Sequence, residues 1–297
     1  MPTRSDAVVP TRSLLALLAV LAAIPLLSGC GGDSDSDTLS SEAVAKAAEA
    51  TVAKGGTRIS LVSDATLPGG AGELKMTGEG VVDGETQQGR LTLKAISAPS
   101  GVSKQSLGQE IVFDKLVLYL RSPVFAAALD DGKKWLKIDL EKAGKAAGID
   151  LASLTQSGQD PSQSLKLLKA VSGDIAEVGK EDVRGVSTTH YKATIDLNKY
   201  PDTVPAKDRE AARATVKTLT KALGGTKTPV EFWIDEDDLV RRYGQTLKID
   251  TGGGQSAIKQ TIDYYDYGAE VDVTIPPADE VQDFSDIAAS GLSGGTP

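Results

Sequence analysis

The sequence predicts an α+β domain in which a few helices lie across the concave side of one strongly curved antiparallel β-sheet. Short runs that alternate apolar and polar residues, broken by Gly, Pro, Asp and Ser, recur along the chain and are typical of antiparallel strands. Segments with apolar residues at three- and four-residue spacing separate groups of these runs and indicate helices. Helices grouped on one face of an antiparallel sheet define the α+β class.

The chain begins with the pattern of a bacterial export signal. Arg4 and Arg12 precede an apolar stretch at 14–27, and small residues lead to Cys30, the single cysteine of the 297 residues. The stretch is shorter than the about 20 apolar residues that a membrane-spanning helix needs. Leu27-Ser28-Gly29-Cys30 resembles a lipobox, which implies cleavage before Cys30 and attachment of diacylglycerol to its sulfur. A buried structural thiol, the alternative for Cys30, would need no signal in front of it.

The predicted domain organisation follows from this signal. Residues 1–29 are a lipoprotein signal peptide, 30–38 a flexible Gly/Ser/Asp-rich tether, 39–283 a single domain, and 284–297 a disordered tail. Two or three acyl chains anchor a protein stably, since each buried CH2 contributes about 0.8 kcal/mol. We therefore expect a protein anchored to the extracytoplasmic face of the cell membrane, without disulfides.

The acidic balance of the chain excludes several partners. Its formal net charge is -9 at pH 7, and removal of Arg4, Asp6 and Arg12 with the signal peptide makes it one unit more negative. Nucleic acids and anionic lipid surfaces are therefore disfavoured by electrostatics. No feature of the sequence indicates a cofactor.

In the first half of the chain, a helix that Ser40 or Ser41 can cap is followed by strands. The helix carries small apolar residues at helical spacing and ends before Gly55-Gly56. Period-two runs then predict strands around 59–61, 80–82, 91–96, 111–113, 116–120 and 136–140.

Strands and helices come as two similar halves, each a β-meander and then helices, without a repeat of residues at fixed period. Helical patterns cover 141–156 weakly and 162–171 better, and the clearest helix runs from Pro205 to Gly224. Strands are predicted at 187–197, 230–234, 239–249 and 257–265, the second and third joined by the acidic turn 235–238.

Aliphatic side chains dominate the inward positions of these strands, and only 4% of all residues are aromatic. Small aliphatic walls suit acyl chains, provided that the inward side chains and covering helices leave volume unfilled. The same residues could instead fill a dry core, and the residues alone leave both interpretations open. The residues predicted to line a ligand cavity are Leu61, Val81, Leu91, Leu93, Ala95, Leu136, Ile138, Tyr191, Ala193 and Ile195.

Catalysis and metal binding receive little support. His190, the only histidine, lies at a predicted outward position between Thr188 and Lys192, which predicts a surface residue, and no serine sits in a nucleophile-elbow sequence. The acidic run 235–238 lacks the ligand spacing of an EF-hand and predicts a solvated hairpin turn. Arg241 and Arg242 are expected to pair with these acids at the surface. We therefore expect a protein that is not an enzyme and has no metal site.

Several stretches carry a family resemblance. The segment VEFWIDEDDLVRR at 230–242 resembles a signature of actinobacterial lipoproteins of the LppX/LprA/LprF/LprG type, and 117–123, 134–139 and 264–273 fit the same family. Their order and spacing carry the resemblance, because no single stretch is specific. The family's fold is similar to that of the LolA/LolB carriers, which implies a half-barrel of antiparallel strands closed by helices around an apolar cavity for acyl chains.

Two functional classes follow. The first is an anchored envelope lipoprotein, expected to be monomeric, that binds lipid or glycolipid acyl chains and carries or transfers them, with an envelope transporter as a partner. The second is a ligandless interaction or sensory lipoprotein that presents the same fold to an envelope partner. Lipid co-extracted with the purified protein would distinguish the two classes.

Overall fold

A computed structural model describes residues 36–67, 72–146, 175–223, 225–250 and 255–292. Cys30, most of the tether, and the helical patterns at 147–156 and 162–171 lie outside these residues. The described part contains one twelve-stranded sheet with the order β12-β6-β5-β4-β3-β2-β1-β11-β10-β9-β8-β7. The strands are β1 Gly56–Thr66, β2 Glu73–Asp83, β3 Gln88–Ser97, β4 Gln109–Asp114, β5 Val117–Arg121, β6 Trp135–Asp139, β7 Ala176–Val183, β8 Val186–Asp196, β9 Lys227–Asp235, β10 Val240–Asp250, β11 Gln255–Tyr265 and β12 Val281–Asp283.

The sheet consists of two meanders that meet in its middle. Strands β1 to β6 follow one another as neighbours, as do β7 to β11, and the meanders join through the antiparallel pair β1–β11. Strand β12 pairs with β6 in parallel, so the sheet is mixed only at that edge. The sheet is open, with β12 and β7 at its two ends. The predicted α+β class with one antiparallel sheet is confirmed.

The described helices are α1 Ser36–Val52, α2 Leu140–Ala146, α3 Arg209–Leu223 and α4 Ser285–Leu292. Helix α1 packs on the inward face, since Val44 and Ala47 belong to the apolar core. Its last turn is tied to the sheet by the hydroxyl of Thr51, which accepts the backbone N–H of Val240 at 2.9 Å. Within the described ranges, none of the helices has both the length and the apolarity that a membrane crossing requires.

Inward-facing glycines allow neighbouring side chains to lie close against the sheet. A Cβ atom at Gly78 would stand 2.2 Å from Cδ2 of Leu93, and one at Gly80 would stand 2.9 Å from Cγ of Leu91. A Cβ atom at Gly89 would meet the ring of Phe113 at 2.5 Å. Glycine is therefore required here by close approach, a common reason for glycine inside a strand.

The C-terminal segment differs from the disordered tail predicted from residue 284. It forms β12 and then α4, in which Ser285 is fully buried and Ala289 is 6% exposed. The carboxylate of Asp283 accepts the backbone N–H of Ser285 at 2.8 Å, and the hydroxyl of Ser285 accepts that of Asp139 at 2.9 Å. The hydrogen bond between Ser285 and Asp139 joins residues distant in sequence, so the Gly/Ser-rich composition of the tail did not indicate it.

Candidate functional site

The structure brings nine of the ten predicted cavity residues together on the inward face. Buried members of the apolar core are Leu61, Leu91, Leu93, Leu136, Ile138 and Ala193. Partly buried residues packed against that core are Ala95, Tyr191 and Ile195. The strand alternation was therefore assigned to the correct face in β1, β3, β6 and β8. Whether these residues enclose a ligand stays a prediction.

Val81 is the exception, and its assignment to the inward face is wrong. It pairs with Arg58 on β1 and Arg90 on β3, two exposed residues. Directly paired residues point to the same side of a sheet, so Val81 faces outward, while its neighbour Val82 contacts the core. Val81 and Val82 are both apolar and adjacent, so apolar–polar alternation could not indicate which of the two faces inward.

A row of polar side chains crosses the middle of the inward face. Ser63 on β1, Gln260 on β11 and Gln245 on β10 are direct neighbours in the sheet register, and we call them the polar row. Their exposed fractions are 1%, 1% and 9%. The hydroxyl of Tyr243 donates to Oε1 of Gln245 at 3.0 Å, and Nε2 of Gln245 donates to Oε1 of Gln260 at 2.8 Å.

Several buried polar atoms on this face have no hydrogen-bond partner among the described residues. They are the hydroxyls of Ser63, Ser256 and Tyr264 and both amide atoms of Gln109. Buried polar groups are nearly always hydrogen-bonded, so each exception needs an explanation. The sequence signal was available: Gln260 stands between Ile258 and Ile262 at an inward position, where an apolar residue is expected.

The buried polar residues described on the inward face are uncharged. His190 and Asp235 are the ionisable side chains of the described buried polar set, and both lie on the outer face. Burial raises the pKa of the Tyr243 and Tyr264 hydroxyls well above their ordinary value, so both are neutral. The buried side chains described on this face can therefore hydrogen-bond a neutral oxygen, and they include no counter-charge for a buried anion.

His190 is buried, and its predicted surface position is wrong. Only 3% of the residue is exposed, and its ring stacks on Trp233 with 4.1 Å between centroids. Nδ1 lies 3.0 Å from Oε1 of Glu181, and Nε2 lies 2.7 Å from Oε2 of Glu231. The side chain does point outward, but cross-strand neighbours cover it, which strand alternation alone cannot reveal.

This outer cluster joins strands β7, β8 and β9. Nε1 of Trp233 donates to Oε2 of Glu181 at 2.8 Å. That hydrogen bond is the main cause that lowers the pKa of the Glu181 carboxyl, assisted by His190. The described residues include no group of three or more His, Cys, Asp or Glu side chains arranged to hold a metal ion. We interpret the cluster as a structural contact between strands.

The acidic turn is less solvated than the sequence predicted. Asp235 is 8% exposed, and its Oδ1 accepts the backbone N–H groups of Asp237 at 3.0 Å and Leu239 at 2.8 Å. Arg241 pairs with Asp235, but both side chains are mostly buried rather than at the surface. Arg242 pairs instead with Asp263 on β11, donating from Nη2 to Oδ2 at 2.9 Å. The turn is thus held by side chains that the linear pattern assigned to solvent.

A polar groove of about 650 Å³ lies on the outer side. Its lining residues are Arg58, Arg90, Asp266, Tyr267, Gly268, Ala269, Glu270 and Asp272. None of them was predicted to contact a ligand. The charged lining makes this groove unsuitable for acyl chains, so the inward face is the better candidate site for an apolar ligand.

No established family model matches this chain. An uncharacterized 31.2 kDa protein from the rplA-rplJ intergenic region of Streptomyces griseus is 33% identical over 251 residues, covering 82% of this chain and 79% of that protein. A candidate lipoprotein of Streptomyces coelicolor is 28% identical over 261 residues, covering 84% of this chain and 77% of the relative. Among solved structures, the lipoprotein LppX of Mycobacterium tuberculosis is similar with a TM-score of 0.46 and 13% identity, covering 80% of this chain and 100% of LppX.

Proposed function

This chain belongs to the family of actinobacterial lipoproteins that includes these Streptomyces proteins, as its sequence resemblance implied, and we propose that it carries lipid. In this proposal Cys30 anchors the protein to the extracytoplasmic face of the cell membrane. The inward face of the sheet binds the acyl chains of a lipid or glycolipid, and the protein transfers them within the envelope. Its role is that of a binding protein rather than an enzyme.

One observation carries the proposal: the inward face combines a continuous aliphatic surface with buried polar atoms that lack partners. Leu61, Leu91 and Leu93 lie side by side on β1 and β3, with only glycines of β2 between them in the register. A dry core of this composition would leave few polar atoms without hydrogen bonds. A lipid site accounts for both features, since a lipid brings methylenes and oxygen atoms together.

The direct test is lipid analysis of the full-length protein purified from an actinobacterial host. We expect mass spectrometry to detect co-purified lipid in amounts comparable to the protein, in addition to the anchor on Cys30. The inward variant Leu93→Trp should carry less of it, because its indole occupies ligand space. Thr92→Trp, on the exposed side of the same strand, is the matched control and should carry the normal amount. Protein free of lipid other than the anchor would contradict the proposal.

The alternative of a ligandless interaction module is favoured by the outer groove. Arg58 and Arg90 stand there beside Asp266, Glu270 and Asp272, which is a surface of mixed charge. Such a surface suits a polar protein partner more than a lipid. Loss of binding to an envelope protein partner in Arg90→Glu, together with absence of co-purified lipid, would favour this second function.

A further inference from the structure

The polar row lies on the inward face among apolar residues, although a site for aliphatic chains alone would need no polar side chain. Ser63, Gln260 and Gln245 occupy adjacent inward positions of the neighbouring strands β1, β11 and β10, and all are at least nine-tenths buried. Along β1, Leu61 and Ala65 flank Ser63 on the same face, and along β11, Ile258 and Ile262 flank Gln260. The row is thus a polar patch bordered by apolar side chains.

The hydrogen bonds within the row run in one direction and leave Ser63 unused. Tyr243 donates to Gln245, which in turn donates from Nε2 to Gln260. Ser63 lies opposite Gln260 in the register, yet its hydroxyl has no partner among the described residues. A buried hydroxyl without a hydrogen bond destabilises the fold. The Ser63 hydroxyl, next to the hydrogen-bonded amides of Gln245 and Gln260, is therefore explained best by a hydrogen bond to a bound ligand.

The chemistry of that partner follows from the charges around it. A hydroxyl and two amides bind neutral oxygen atoms, and the buried residues described on this face include no cationic side chain that could balance a phosphate or carboxylate. The described side chains of the site therefore fit a neutral oxygen better than an anionic headgroup. What enters beside the acyl chains is an uncharged oxygen function, such as an ester carbonyl or a hydroxyl.

We propose that the polar row is the specificity-determining contact of the inward face, and that it binds an uncharged ester or hydroxyl oxygen of an acyl lipid. The inference rests on the proposed lipid-binding function and deepens it. Two further inward groups without partners, Ser256 and Tyr264, lie four residues from Gln260 in either direction along β11, roughly 13 Å away. A lipid with several oxygen functions can reach more than one of these points.

The test compares two neutral lipids that differ only in the linkage of their chains. Full-length protein stripped of lipid is titrated with dioleoylglycerol, which carries two ester carbonyls, and with its dialkyl ether analogue, which lacks the carbonyls and keeps the hydroxyl and the two linking oxygens. We expect the diester to bind about threefold to tenfold more tightly, the range of one net hydrogen bond. The double variant Gln245→Met/Gln260→Met should lose this preference. Ile262→Met, an apolar neighbour on β11, is the control and should keep it.

The outcomes separate the inference from the function on which it rests. Equal weakening of both lipids in the double variant identifies an oxygen that the two lipids share, the hydroxyl or a linking oxygen, as the bound oxygen, and supports the inference. If the double variant binds both lipids with unchanged affinity, the polar row does not contact the lipid, although the protein still binds lipid. Failure of the unmodified protein to bind either lipid would overturn both.

A smaller change guards against misfolding of the double variant. Ser63→Ala removes only the unused hydroxyl, so we expect the lipid-free protein to be equally stable or more stable, with affinity for the preferred lipid lowered about threefold or more. A merely structural serine would behave in the opposite way. Loss of stability without loss of affinity in Ser63→Ala would therefore contradict the inference.

Discussion

Leu93→Trp tests whether the inward face is a ligand site or a close-packed core. Leu93 is 2% exposed. Its Cδ2 methyl group lies so close to Gly78 that a Cβ atom there would be only 2.2 Å from it. The side chain therefore already fills the space toward the sheet, and the indole must extend toward the interior. If that interior is packed, overpacking should cost about 1–3 kcal/mol. The melting temperature would then fall by roughly 2–12 °C, at about 2–4 °C per kcal/mol for a domain of this size.

We expect the other outcome, in which the indole enters space that a ligand would occupy. The exchange adds about two methylene volumes, and each displaced CH2 of an acyl chain forfeits about 0.8 kcal/mol. Lipid affinity should therefore fall by about an order of magnitude, at 1.4 kcal/mol per tenfold. The melting temperature of the lipid-free protein should change little.

The assay pairs thermal unfolding with titration of a fluorescent lipid on the same preparations. Thr92→Trp adds an indole on the exposed side of the same strand, so it should leave both measurements unchanged. A large drop in melting temperature for Leu93→Trp, combined with no lipid binding by the unmodified protein, would refute the reasoning. The inward face would then be a dry core.

Three further predictions follow from single residues. Cys30→Ala should abolish incorporation of a tagged fatty acid, and labelling that persists would exclude the lipoprotein anchor. His190→Ala should lower the free energy of unfolding by about 2 kcal/mol in chemical denaturation, because a buried stacked ring and its hydrogen bonds are lost; a change below about 0.5 kcal/mol would restore the surface assignment. Glu181 has a folded-state pKa below the ordinary 4.5, so it stabilises the fold above that pH and this contribution is lost as pH falls through the folded value. The melting temperature should accordingly fall on acidification more in the unmodified protein than in Glu181→Gln.

The sequence by itself determined the elements and most of their faces. Alternation placed Leu91, Leu93 and Ala193 on the inward side, because the side chains of a strand point to opposite faces with period two. Local signals also located the helix that follows Pro205 and the hairpin at Asp235. These features depend on residues close in the chain, which is why a linear pattern can reveal them.

Tertiary structure decided what covers each face. His190 is buried on the outer side, where alternation alone predicts solvent, and Val81 is buried there although it was predicted to face inward. The stack of Trp233 on His190 exists only because β8 and β9 are neighbours. The polar row likewise forms only when β1, β11 and β10 come into register, although Ser63 and Gln260 are nearly 200 residues apart. Burial and hydrogen bonding are properties of such long-range neighbours, and the order of strands in the sheet sets them.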